Sequence, residues 1–151
     1  MKDVGILNIN SLNKNIKEMR KWYHKLIYLA GTDSSFSASI PILDEMEKIN
    51  VNSVISESLI SIPKHKYPMF MEDILRNAFA DEEKIYILQH IDILFDPQLK
   101  INPVRLLENL SKSYRLLVDW PGRYIDGQLI YAEYGHPEYF VSSDFEGVIY
   151  K

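Results

Sequence analysis

The sequence predicts a three-layer α/β domain: a parallel sheet flanked by helices, with a small C-terminal β-hairpin. Three observations carry that expectation. Short apolar runs such as Ile85-Tyr86-Ile87-Leu88 and Leu116-Leu117-Val118 recur between stretches whose apolar residues have helical spacing. Runs without polar alternation suit strands covered on both faces, as in parallel sheets. Asp126-Gly127, set between Tyr124-Ile125 and Gln128-Leu129-Ile130-Tyr131, favours a type I′ hairpin turn. Alternation of strand and helix implies βαβ units, whose crossovers connect parallel strands.

The elements follow in order. Leu12, Ile16, Met19 and Tyr23 make one apolar stripe on a helix from about Ser11 to Tyr23, with Ser11 as its N-cap. Lys25-Leu26-Ile27-Tyr28-Leu29-Ala30 reads as a short buried strand stopped by Gly31, and Thr32 to Ser39 as a loop of small residues. Pro41 stands near the start of a helix running to about Ile49, because proline is tolerated in a first helical turn. Asn52 to Ile55 reads as a weaker strand. A helix after Pro68 carries Met69, Ile74, Leu75, Ala78 and Phe79, and Lys84 to Leu88 is the clearest strand. Asp96-Pro97 breaks the chain, Pro103 opens a helix with Leu106, Leu107 and Leu110, and Tyr114 to Asp119 is again a strand. The hairpin follows Trp120-Pro121-Gly122, and Glu146 to Tyr150 forms a last short strand. The expected organisation is a single domain, with an N-terminal helix region over 1–23, an α/β core over 24–119, and the hairpin and last strand over 120–151.

Composition narrows the chemistry. The 151 residues are 46% hydrophobic and 25% charged, which is ordinary for a folded domain of that length. The absence of cysteine excludes a disulfide scaffold, a thiolate metal site and a cysteine nucleophile. A net charge of −4 argues against a broad nucleic-acid-binding surface, though not against a local basic patch. Apolar runs of about four residues fall far short of the ~20 that a membrane helix needs. Met1 to Asn8 lacks a long apolar stretch, so a cytoplasmic location without a secretory signal or membrane partner is expected.

In open α/β sheets ligands bind beyond the carboxyl ends of strands, often at helix N-termini. The turn after Ala30 is the first such place. The phosphate-loop pattern G-x-x-x-x-G-K-[ST], laid on Gly31-Thr32-Asp33-Ser34-Ser35-Phe36-Ser37-Ala38, keeps only its first glycine. Ser37 takes the place of the lysine that neutralises phosphate charge, and Phe36 that of the second glycine. Ser34, Ser35, Ser37 and Ser39 remain as hydroxyl donors. The strand Ile85–Leu88 is followed by neutral Gln89 and His90, where a magnesium-holding acid is expected, and Asp92 comes only later. Arg123, just past another strand end, is either a phosphate-sensing arginine or one half of a structural ion pair. Loss of the lysine and the acid together points to a domain that does not hydrolyse nucleotide. No catalytic residue, no metal site and no resident cofactor are assigned, and ATP with Mg²⁺ enters only if a neighbouring subunit completes the site.

The second half carries a family likeness. Leu94-Phe95-Asp96-Pro97-x-Leu99-Lys100 is followed by Asn102-Pro103-x-Arg105-Leu106-Leu107-x-Asn109-Leu110-Ser111 and by Trp120-Pro121-Gly122-Arg123. Asp126-Gly127-x-Leu129-x-Tyr131-Ala132-Glu133 and Gly135-His136-Pro137-Glu138-Tyr139 complete the series. Over about Leu88 to Tyr150 this resembles the BrxF family, small P-loop-containing proteins of type III bacteriophage exclusion (BREX) systems. The resemblance implies a P-loop NTPase-like core of the AAA-related kind within a multi-gene antiviral defence that methylates host DNA and blocks phage replication. Carried over by position, Gly31 matches the first glycine of the phosphate loop, whereas Phe36, Ser37, Gln89 and His90 depart from it. The expected role is therefore a subunit acting mainly through contacts with other subunits of the system. A homo-oligomer, an ATPase completed in trans with Asp92 or Arg123, and a direct or indirect DNA contact stay open as alternatives.

Two further features have more than one reading. Lys17, Arg20, Lys21, His24 and Lys25 form a basic stripe if the first helix reaches Lys25, facing either phosphate, an acidic partner or simply solvent. Tyr124, Tyr131, Tyr134, Tyr139, Phe140, Phe145 and Tyr150 are either an interaction surface or a small aromatic core under the hairpin. The four histidines lack metal-ligand spacing.

Overall fold

Residues within each central strand alternate strictly between two hydrophobic clusters, so the sheet has helices on both faces. This is the arrangement in the computed structural model, which describes residues 9–30 and 46–150. Five strands, β1 (Leu26–Leu29), β2 (Met46–Asn50), β3 (Ile85–Gln89), β4 (Arg115–Asp119) and β8 (Val148–Tyr150), form a parallel sheet in the order β2-β3-β4-β1-β8. Ile27, Leu29, Ile85, Ile87 and Leu117 face Leu12 and Ile16 of helix α1 (Ile9–Glu18) and Met19 just beyond it. Leu26, Tyr28, Tyr86, Leu88, Leu116 and Val118 face the other way. There they meet α2 (Val51–Leu59), α3 (Tyr67–Ala78) and α4 (Pro103–Leu110). The α/β class and the helix-flanked parallel sheet are thus as the sequence predicts.

Three elements differ from expectation. The first helix stops at Glu18, passes through a 3-10 turn over Met19–Lys21, and gives way to extended backbone at Trp22. Ser11 therefore lies inside the first helical turn rather than capping it, and Tyr23 is solvent-exposed rather than part of the apolar stripe. Over Met46 to Ile55 the expected helix and strand exchange places. Met46–Asn50 is an edge strand, and Val51–Leu59, which includes the stretch read as a strand, is helix. Asn50 accounts for the switch: its side-chain oxygen accepts a hydrogen bond from Ser53 N at 3.0 Å, capping α2. Residues 41–45 of the expected helix lie outside the described residues.

The C-terminal part is larger than a hairpin. Strands β5 (Arg123–Ile125) and β6 (Gln128–Tyr131) flank Asp126 and Gly127, both at positive φ as a type I′ turn requires. A third antiparallel strand, β7 (Phe140–Ser142), joins β6. The last strand, β8, leaves this small sheet and completes the parallel one beside β1. Its approach is fixed by α4. Buried Glu108 bonds Arg105 Nη1 at 2.8 Å and accepts from Glu146 N at 2.6 Å, while Arg105 Nη2 donates to Asp144 O at 2.8 Å. Gly147 sits at φ +112, where an L side chain is strained, and a Cβ there would lie only 3.2 Å from the side chains of Leu26 and Tyr28.

Candidate functional site

The connections of neighbouring strands depart in opposite directions at one point of the sheet. From β1 the chain crosses over β4 and β3 to reach β2, whereas from β4 it crosses over β1 to reach β8. The crevice between the carboxyl ends of β1 and β4 is thus the topological switch point, where open α/β sheets bind ligands. The register places Leu29 opposite Asp119 on one side and Tyr150 on the other, and Asn50 opposite Gln89 further out. Trp120 N donates to Leu29 O at 3.0 Å, and Ala30 N to Tyr150 O at 2.7 Å, so the strand ends are firmly tied.

Two polar side chains end buried strands here. Gln89 closes β3 and Asp119 closes β4, both half-buried after four fully buried residues. Asp119 was not singled out in the sequence, although a carboxylate directly after Leu116-Leu117-Val118 was a readable signal. Gln89 offers an amide that donates and accepts hydrogen bonds but brings no charge to a divalent cation. His90, at φ 55, turns the chain sharply, and buried Ile91 anchors the 3-10 turn that follows.

The remaining candidates serve other structures. Asp92 is exposed and accepts a hydrogen bond from Tyr131 Oη at 3.1 Å, linking the turn after β3 to β6. Burial and the Asp92 carboxylate together push the Tyr131 phenol up to about 12. Arg123 donates to Ala132 O at 3.1 Å and lies 3.8 Å from Glu133, so its contacts bridge β5 to the end of β6. Gly31, Ser34, Ser35, Ser37 and Ser39 lie outside the described residues. Among the described residues no group of three or more acidic or histidine side chains gathers as a metal site.

The basic stripe is broken up. Lys17 is on α1, Arg20 and Lys21 are on the 3-10 turn, and Lys25 follows extended backbone, so the four share no helix face. Arg20 reaches Glu83 at 3.6 Å, and Lys25 Nζ donates to Lys112 O at 3.2 Å. A cavity of about 170 Å³ beside them is lined by Arg20, Lys25 and Arg115 but also by Glu82 and Glu83, so its charges oppose one another. The aromatic residues divide between the two readings. Phe145 and Tyr150 are buried and Tyr124, Tyr131 and Phe140 pack on the core, whereas Tyr134 is 90% exposed and Tyr139 stands T-shaped beside it.

Comparison with protein-family models, curated proteins and solved structures finds no match to this chain. No helix among the described residues is long and apolar enough to cross a membrane.

Proposed function

We propose that this chain is a P-loop NTPase-like subunit of a BREX-type phage-exclusion system, with degenerate nucleotide motifs and a role exerted mainly through protein–protein contacts. The observation that carries the reading is the sheet itself. A strand, β4, lies between β1, which ends just before Gly31 in the sequence, and the strand where the magnesium acid would stand, and that second strand ends in neutral Gln89. The layout supports a P-loop-like core of the AAA-related kind, and the amide at the end of β3 supports loss of the metal-dependent chemistry. At the end of β3 a Mg²⁺ ion would find a neutral amide in place of a carboxylate. The protein context rests on the motif series from Leu94 to Tyr139.

Calorimetry and thermal shift with ATP, ADP and GTP in the presence of Mg²⁺ test the nucleotide side. The expected result is no saturable binding in the micromolar range. Micromolar binding or turnover that Ser37→Ala or Asp92→Asn abolishes would overturn it. Turnover seen only after partner subunits are added would instead favour a site completed in trans. The defence side is tested by removing the chain from a host that carries such a system. Phage plating should recover, and undiminished protection would sink the assignment.

A further inference from the structure

The corner joining α2 to α3 is basic and unusually apolar for an exposed surface. No carboxylate occurs between Glu57 and Glu72, whereas Lys64, His65 and Lys66 follow one another on a 3-10 turn. All three are exposed, and none makes an ion pair among the described residues. Around them Ile60 is 86%, Met69 71% and Phe70 37% exposed. Single exposed apolar side chains need no explanation, but three on one corner with unpaired cations form a mixed patch.

The same chain carries the complement. The β6–β7 connection reads Glu133-Tyr134-Gly135-His136-Pro137-Glu138-Tyr139. Its two tyrosine rings stand T-shaped at 5.7 Å in the open, already arranged before any partner arrives. The loop is held in shape by His136 N donating to Glu133 O at 2.9 Å and Glu138 N donating to His136 Nδ1 at 3.0 Å. Among the described residues Glu133 pairs with a distant, exposed arginine at 3.8 Å, an ion pair of little strength. A rigid pair of tyrosines loses little entropy on docking and accepts lysine ammonium groups on its ring faces.

We propose that the Ile60, Lys64, Lys66, Met69 and Phe70 corner of one copy docks the Glu133–Tyr139 loop of a second copy of this chain. Lysines meet Glu133, Glu138 and the tyrosine faces, and the aliphatic side chains cover the rings. Opposite charge fixes the register and speeds encounter, while the aromatic and aliphatic contacts supply most of the affinity. This gives the protein–protein reading above a concrete surface, but it does not depend on the phage-exclusion context or on the nucleotide site.

Sedimentation velocity of the full chain over a range of concentrations tests it, with circular dichroism confirming that each variant folds. The wild type should show mass rising above the monomer with concentration, and less so when salt is raised from ~50 to ~500 mM. The double variants Lys64→Glu/Lys66→Glu and Glu133→Lys/Glu138→Lys should each weaken association by about tenfold or more, the expected scale of removing paired interface charges. The chain with all four changes restores opposite charges and should associate again. Met69→Glu, which alters no existing charge pair, should weaken it independently. A monomer at every concentration overturns the proposal. So does association untouched by these changes, or association sensitive to the corner but not to the loop, which would assign the corner a different occupant.

Discussion

The two sheets of this protein are held by different means. In the parallel sheet β1 is buried at every residue, and β3 and β4 are buried at all but the last, with side chains from both faces locked into separate clusters. In the antiparallel sheet β5 is largely exposed and β7 is half-buried throughout. That smaller sheet is moored by buried Leu129 of β6 and by a row of rings. Phe95 stacks on Tyr131 with centroids 3.9 Å apart and 14° between planes, and meets Trp120 and Phe140 edge-on. Trp120 Nε1 donates to Ile130 O at 3.1 Å, adding a directional tie. The parallel sheet makes its own core, whereas the antiparallel one borrows order from a neighbour. Small sheets with thin cores need such support.

Phe95→Ala attacks the mooring directly and should have the largest effect. Truncating a buried phenylalanine costs about 3–5 kcal/mol, to be read from denaturant unfolding. Hydrogen exchange should show β5, β6 and β7 losing most of their protection while β1, β3 and β4 keep theirs. Equal loss in both sheets would break the contrast.

Gly122→Ala strikes the same sheet from inside. A Cβ there would lie 1.8 Å from the Ile130 carbonyl oxygen, a backbone atom that cannot swing aside. Overpacking of this kind costs about 1–3 kcal/mol. The Trp120 indole N–H resonance should shift, since its acceptor is that same oxygen. An unchanged resonance and melting temperature would show the hairpin to be more loosely seated.

Tyr131→Phe should have the smallest effect, about 0.5–1.5 kcal/mol for one hydrogen bond, because Asp92 stays solvated. It also carries a pH signature. The folded phenol is raised to about 12, above its ordinary value of 10.0. The unfolded chain therefore releases this proton first, and stability present below about pH 10 is lost as pH rises towards 12. The variant should lack that loss and should lack one late-ionising phenol in an ultraviolet titration. A phenol titration identical to the wild type would refute the placement.

Much of the fold was legible because burial on two faces writes itself as uninterrupted apolar runs. The strands β1, β3 and β4 were readable on that basis, and the hairpin turn from the Asp126-Gly127 dipeptide. The strand β2 was not. It is an edge strand whose Glu47 and Lys48 are good helix formers, and charged residues are common where an edge must not recruit another strand. The signal that was available lay in Asn50 followed by Val51, Val54 and Ile55, a cap and the start of a helical stripe. At the candidate site Gln89 was legible from its position in the topology, whereas Asp119, at the end of β4, belongs to no known motif spacing. For Arg123 the ion-pair reading was available in the sequence and Glu133 is its partner, whereas the use of Asp92 was beyond reach of local pattern because it depends on where β6 docks.

The position of β1 also bears on how the chain comes off the ribosome. Its apolar segment Leu26–Leu29 pairs with Leu116 to Asp119 on one side and with Val148 to Tyr150 on the other. The nearer partner is about 90 residues downstream, and synthesis at roughly 5–20 residues per second delays it by about 5–20 seconds. Throughout that interval β1 has emerged without either of its two neighbours. A holding chaperone covering Leu26–Leu29 during that interval would shield the strand that is buried at every residue in the finished sheet.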